Sequence, residues 1–195
     1  MRALPVLAVA LAGLAGCDIP LPGQGTRSLP LLDGSLRVKG PQGYCVDPDA
    51  SRPETGFAVL GACGLMVAAG IMPQTDGFIT IQIGDGGTAA VAGNEAALAS
   101  LLRTSDGVAL LTEAGDPSAV TLGQIDLGDG IVSVRFTDSS PPPVEGLMAD
   151  EWRAFLDIED RLVTIGVRGY NRAPLTAGQA QALLYGTVAA LRAAN

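Results

Sequence analysis

Two stretches of the chain, 76–87 and 119–140, alternate apolar and polar residues in short runs that close on Gly-Asp-Gly, and this pattern points to strands joined by tight turns. DGFITIQIGDGG (76–87) sets Phe78, Thr80 and Gln82 against Ile79, Ile81 and Ile83, then closes on Gly84-Asp85-Gly86. A period of two sends the two sets to opposite faces of a strand. Gly-Asp-Gly supplies the positive φ values that a tight reversal needs. AVTLGQIDLGDGIVSVRFTDSS (119–140) is the same construction with a second strand after the turn, Ile131, Ser133 and Arg135 facing one way and Val132, Val134 and Phe136 the other.

The remaining segments divide between strands and helices. SLRVKG and GFAVLGA are short and strand-like, and SSPPPVEG (139–146) is a surface connection, because three prolines exclude a central strand. In ADEWRAFLDIEDRLVTIGVRGY, Leu162 to Val167 is a strand, while Trp152, Phe155 and Leu156 also suit a helix face. The symmetry of LDIEDRLV about Glu159-Asp160 favours a hairpin there. Asn94 is a candidate cap for a short helix with Ala97, Leu98, Leu101 and Leu102 on one face, and Ser105 for a second short helix or turn. The C-terminal PLTAGQAQALLYGTVAALRAAN is the clearest element. Thr176 caps it, Ala180, Leu183, Leu184, Thr187, Val188 and Leu191 form an apolar stripe, and Gly186 offers close packing on a sheet. The sum is an α+β fold, an antiparallel sheet of about five to seven strands packed against the C-terminal helix and one or two short helices. The order strand–turn–strand–helix at the end resembles the close of PsbP/Mog1-like domains, as in several small bacterial lipoproteins. That resemblance rests on element order and implies no site.

The N-terminus gives an address. MRALPVLAVALAGLAGC has one basic residue, Arg2, and an apolar run too short to span a bilayer, ending in small residues. Leu14-Ala15-Gly16-Cys17 resembles the lipobox of bacterial lipoproteins, whose invariant cysteine accepts a diacylglyceryl group before cleavage frees its amine for a further acyl chain. The resemblance implies lipidation at Cys17 and a place in the bacterial cell envelope, anchored to the inner or outer membrane and facing the periplasm. Residues 1–16 are then a signal peptide, 17–34, rich in Pro and Gly, a lipid-anchored tether, and 35–195 a single globular domain.

With Cys17 assigned to lipid, Cys45 and Cys63 remain as an even pair in an oxidising compartment. The turn-rich DPDASRPETG between them brings two short strands together, which predicts a disulfide. A zinc site is disfavoured by the absence of histidine, and a redox pair by the absence of C-x-x-C.

The missing histidine also removes the Ser-His-Asp triad, the Cys-His pair and the H-E-x-x-H helix. Neither G-x-S-x-G nor a P-loop is present, so no cofactor is expected. The net charge is −8, or −9 once Arg2 is removed, leaving 11 cationic against 20 anionic side chains. That balance repels nucleic acid. Carboxylate chemistry stays open by residue type: Asp47, Asp49 and Glu54 in the cysteine loop, and Asp150, Glu151, Asp157, Glu159 and Asp160 around the lone Trp152. Such groups can serve a glycosidase cleft or hold Ca²⁺, though acidic loops in solvent account for them as well. Trp152 is expected in or near the core. The two Gly-Asp-Gly copies are too far apart for tandem calcium repeats and are read as turns. The expected function is a non-enzymatic binding or scaffolding domain, attached to the membrane through Cys17, whose partner is an envelope protein or small ligand. The alternatives are a carboxylate-dependent hydrolase acting on envelope material and a small-ligand carrier.

Overall fold

The computed structural model describes residues 25–68, 70–112 and 114–195. Cys17, and with it the expected signal and lipidation site, lies outside these residues. The chain runs β1 Ser28–Leu31, β2 Leu36–Lys39, β3 Tyr44–Arg52, β4 Phe57–Ala62, α1 Cys63–Met66, β5 Gly77–Ile83, α2 Glu95–Leu101, α3 Ser105–Ala109, β6 Val120–Gly128, β7 Ile131–Asp138, β8 Leu147–Ile158, β9 Arg161–Tyr170 and α4 Ala177–Arg192. Strands β3 to β9 form one antiparallel sheet in the order β3-β4-β5-β9-β8-β7-β6, and β1-β2 is a separate hairpin. The α+β class and the antiparallel sheet expected from the alternating runs are present.

Alternation along the central strands gives the sheet two differently covered faces. Ile79, Ile81, Ile83, Trp152, Ala154, Leu156, Val163, Ile165 and Val167 face one way and pack with Leu183, Leu184, Val188 and Leu191 of α4 and with the β1-β2 hairpin. All six residues of the expected α4 stripe are buried, and Thr176 and Gln179 form a reciprocal capping box. Gly186, expected against the sheet, instead neighbours Pro41 at ordinary contact distance. On the other face Val132, Val134 and Phe136 pack under α2 and α3, together with Val91, Ala99, Leu102 and Leu111. Helix α2 buries Ala99 and Leu102 and leaves Leu101 exposed, which rotates its inner face away from the expected one. The cap of α3 is Thr104, one residue before Ser105, and its side chain accepts from Gly107 N–H. Helices α2 and α3 cover only the β6-β7 side of this face.

The folded part starts earlier than residue 35. Leu29 and Leu31 of β1 and Leu36 and Val38 of β2 are buried, and Thr26 bridges to Val46. Residues 25–34, expected as tether, are therefore structured; the Pro-rich composition hid a hairpin whose turn places Leu32, Asp33 and Gly34 at positive φ. The 147–158 segment is strand, with Ile158 opposite Arg161 and Glu159 at φ 54 in the turn that Glu159 and Asp160 form, as the symmetry of LDIEDRLV implied. The second Gly-Asp-Gly turn is a two-residue hairpin with Asp129 and Gly130 both at positive φ. The first opens a long connection to α2. That connection is pinned by Asp157, whose carboxylate accepts from the backbone N–H groups of Ala90, Val91 and Ala92 at 3.0, 2.9 and 2.8 Å. Asp157→Ala would orphan three donors, and we expect a loss of about 2 kcal/mol. Amide exchange at 90–92 should accelerate more than at β9; equal protection in the variant would show that the cradle does not hold this segment.

Candidate functional site

The uncovered part of the second face is a groove of about 520 Å³ over β3, β4, β5, β9 and β8. Phe57, Val59 and Phe78 form its apolar sides, Leu111 and the Pro143-Val144 connection form one wall, and Arg52 stands at the rim. Its floor is charged. Glu151 of β8 lies directly across from Arg168 of β9, and Arg153 follows two residues later on the same face. Glu151 is only 3% exposed and Arg168 8%.

The three side chains form an ion triad with Glu151 and Arg168 buried and Arg153 half-buried. Arg168 donates from Nε to Glu151 Oε2 at 2.8 Å, with Nη2 at 2.6 Å from the same oxygen. Arg153 donates from Nε to Oε1 at 2.9 Å, with Nη2 at 2.8 Å. Each guanidinium also spends an Nη1–H on a backbone carbonyl, Arg153 on Leu110 and Arg168 on Met148, both at 3.3 Å. The Arg153 guanidinium stacks 5.1 Å from the Phe136 ring centroid. A Cβ on Gly166 would stand 2.9 Å from Glu151 Oε1 and 2.8 Å from Thr80 Oγ1, so glycine is what lets the carboxylate lean across β9.

Asp138, also buried, adds a second negative charge near Arg168. Burial pushes its pKa up, but hydrogen bonds from Ser140 and Thr112 and the Arg168 charge outweigh this and hold it below the ordinary value. Arg168 thus has Glu151 beside it at the groove floor and Asp138 as a further negative charge. Together these contacts use at most three of the five N–H groups of each guanidinium, leaving donors for an anion at the groove.

The acidic residues singled out in the sequence disperse. Asp150 pairs with Arg135 at 3.0 Å, Asp157 holds the 90–92 backbone, Glu159 occupies the hairpin turn, and Asp160 accepts from Gly87 N–H. Asp150, Glu151 and Asp157 are thus strand residues, not members of a solvated loop. Asp47 Oδ1 accepts from the N–H groups of Asp49 and Ala50, a local turn. Among the described residues no three His, Cys, Asp or Glu side chains gather as a metal-binding group. Trp152 is buried on the α4 face, its indole N–H without a partner. Cys45 and Cys63 are disulfide-bonded with Cα atoms 4.8 Å apart, joining the start of β3 to the start of α1.

Arg153 and Arg168 escaped the sequence reading. Their signal was present: Glu-x-Arg at alternate positions of one strand, and a lone Arg in the otherwise apolar run ending VTIGVRGY. Charges inside what must be central strands demand partners. Comparison with protein-family models, curated proteins and solved structures found no match.

Proposed function

We propose that this chain is a membrane-anchored, periplasm-facing lipoprotein whose domain binds an envelope component in the groove and performs no chemistry on it. The observation that carries the binding reading is a groove with apolar walls over a floor where half-buried Arg153 and buried Arg168 flank Glu151 and keep N–H groups to spare. Such a surface suits a ligand with an apolar body and an anionic group, since the walls bury one part and the guanidinium donors meet the other. The lipobox at Leu14–Cys17 supports the anchor, and the Cys45–Cys63 disulfide fits an oxidising compartment. No helix among the described residues is long and apolar enough to cross a membrane. Against a carboxylate-dependent hydrolase stands the state of Glu151, the carboxylate at the floor: both its oxygens are occupied by guanidinium groups, which suits an orienting anion better than a proton donor.

Two readouts test the reading. The N-terminal peptide from native membranes is expected to carry acyl mass on Cys17; an unmodified cysteine there removes the anchor. A photoreactive residue at Val144, on the groove wall, should cross-link to a defined species in those membranes. Thr80→Trp, which fills the groove, should abolish the product, and the same probe at exposed Gln124 should give none. Equal products at both positions, or a product indifferent to Thr80→Trp, would remove the groove from the proposal.

A further inference from the structure

Three large apolar side chains are left in solvent within one short stretch: Leu65 (64% exposed), Ile71 (59%) and Met72 (52%). They follow the disulfide end of the β3-β4 hairpin, which is also where the chain comes into the domain. Gly25 N–H donates to the Met66 carbonyl at 3.4 Å, and a Cβ on Gly25 would lie 2.7 Å from Met66 Cβ, so the incoming backbone is seated against α1. Beside it a cavity of about 440 Å³ is lined by Gly25, Arg27, Lys39, the disulfide and Ile71. Arg27 and Lys39, the only lysine of the chain, are exposed. The nearby carboxylate of Asp76 is held by Arg172 at 2.7 Å, and Asp33 is at the opposite end of the β1-β2 hairpin. Tyr44 fixes the return path of this stretch by donating to the Thr75 carbonyl at 2.6 Å and accepting from Gly77 N–H at 3.1 Å.

A chain with a net charge of −8 therefore has one end that combines exposed apolar side chains with two cations. We propose that this end is the membrane-facing surface of the domain, with Leu65, Ile71 and Met72 in the interfacial layer of an anionic bilayer and Arg27 and Lys39 against its phosphates. The inference rests on the anchored reading above, and the length of the connection is what selects the occupant. Seven residues separate Cys17 from Gly25, eight Cα–Cα steps with a reach of at most about 29 Å. Acyl chains on Cys17 would hold Gly25, and with it this end of the domain, within that distance of the headgroups. Apolar insertion and basic contacts are the two forces by which a peripheral surface adds to a lipid anchor. The arrangement also points the groove outward. Cys45 and Gly61 pair near the membrane-facing end of β3-β4, whereas Arg52 and Phe57, which border the groove, pair at the other end.

The test uses a chain beginning at Asp18, since residues 25–195 contain both hydrophobic clusters and all nine strands. Its partitioning onto vesicles of phosphatidylcholine with 30% phosphatidylglycerol is measured by sedimentation. We expect measurable binding that falls at least tenfold in Ile71→Asp/Met72→Asp and roughly fivefold in Lys39→Glu, with weaker binding to vesicles of phosphatidylcholine alone. Ile71→Trp should show blue-shifted emission quenched by brominated acyl chains, while buried Trp152 contributes a constant background. No binding by the parent chain, or binding unchanged in the double variant, overturns the proposal. The two readings fail separately. Acyl mass on Cys17 without quenching at position 71 sinks this surface alone, whereas quenching and vesicle binding without acyl mass sink the anchor alone.

Discussion

Replacing Glu151 by glutamine should lower the unfolding free energy by about 3–5 kcal/mol, the largest loss expected from any single polar substitution in this domain. The reason is the floor of the groove. Glu151 is the shared counter-charge of Arg153 and Arg168, and both guanidinium groups would keep their charge after the change because arginine does not deprotonate. Asp138 would remain as the nearest compensation for Arg168. The loss measures the cost of stranding these cations and says little about the net worth of the triad. Replacing all three residues by apolar ones, Glu151→Leu with Arg153→Met and Arg168→Met, is therefore expected to recover most of the stability while removing anion affinity from the groove. Urea unfolding of the single and triple variants checks this. A single-variant loss below about 1 kcal/mol would show that water reaches the guanidinium groups and that the floor is not desolvated.

Removing the disulfide should cost about 3 kcal/mol, the chain-entropy expectation for a loop with a sequence separation of 18. Cys45→Ala/Cys63→Ala and chemical reduction of the parent chain should agree in size, since β3 and β4 are already paired through Cys45 and Gly61 and keep that register. The effect should be local as well. Helix α1 is a single turn with only Cys63 buried, so without the bond the stretch carrying Leu65 has little to hold it to the sheet. Amide exchange should accelerate at Val67 and Gly25, whose N–H groups donate into α1, and stay unchanged at β8 and β9. A loss under about 1 kcal/mol would mean that the hairpin persists in the denatured chain and already closes the loop.

What could be read from residues alone was what depends on local period and turn chemistry. The alternation of 78–83 and 131–136, the Asp129-Gly130 turn, the symmetry about Glu159-Asp160 and the α4 stripe with its Thr176 cap each follow from a few neighbouring residues. The Cys45–Cys63 bridge followed from parity and spacing. The misses share a different cause. Pro30 and the glycines of 22–34 marked a tether by composition, yet Leu29 and Leu31 are held by burial against the core, a tertiary effect no local count contains. The orientation of α2 depends on what it packs against, and propensity is silent on that. The candidate site was the least legible part. Glu151 was in view as one of five acids near Trp152, but its meaning lies in Arg168, seventeen residues away and brought opposite only by the β8-β9 register.

The two outer strands of the sheet carry a further consequence. β3 shifts register between Asp47 and Arg52, and β6 shifts between Leu122 and Ile125, so neither border presents a straight ladder of free N–H and C=O groups. In β6 the shift brings Gly123 close to the Arg135 carbonyl, and Asp126 is tied to Gln124 and to Gln181 of α4. On the anchored reading proposed above, confinement of many copies to one bilayer would raise their local concentration and favour strand-by-strand polymerisation through any straight border. The irregular borders work against that outcome. Straightening β6 by deleting Gly123 would create a template for amyloid-like stacking, and such stacking would nucleate first wherever copies are crowded.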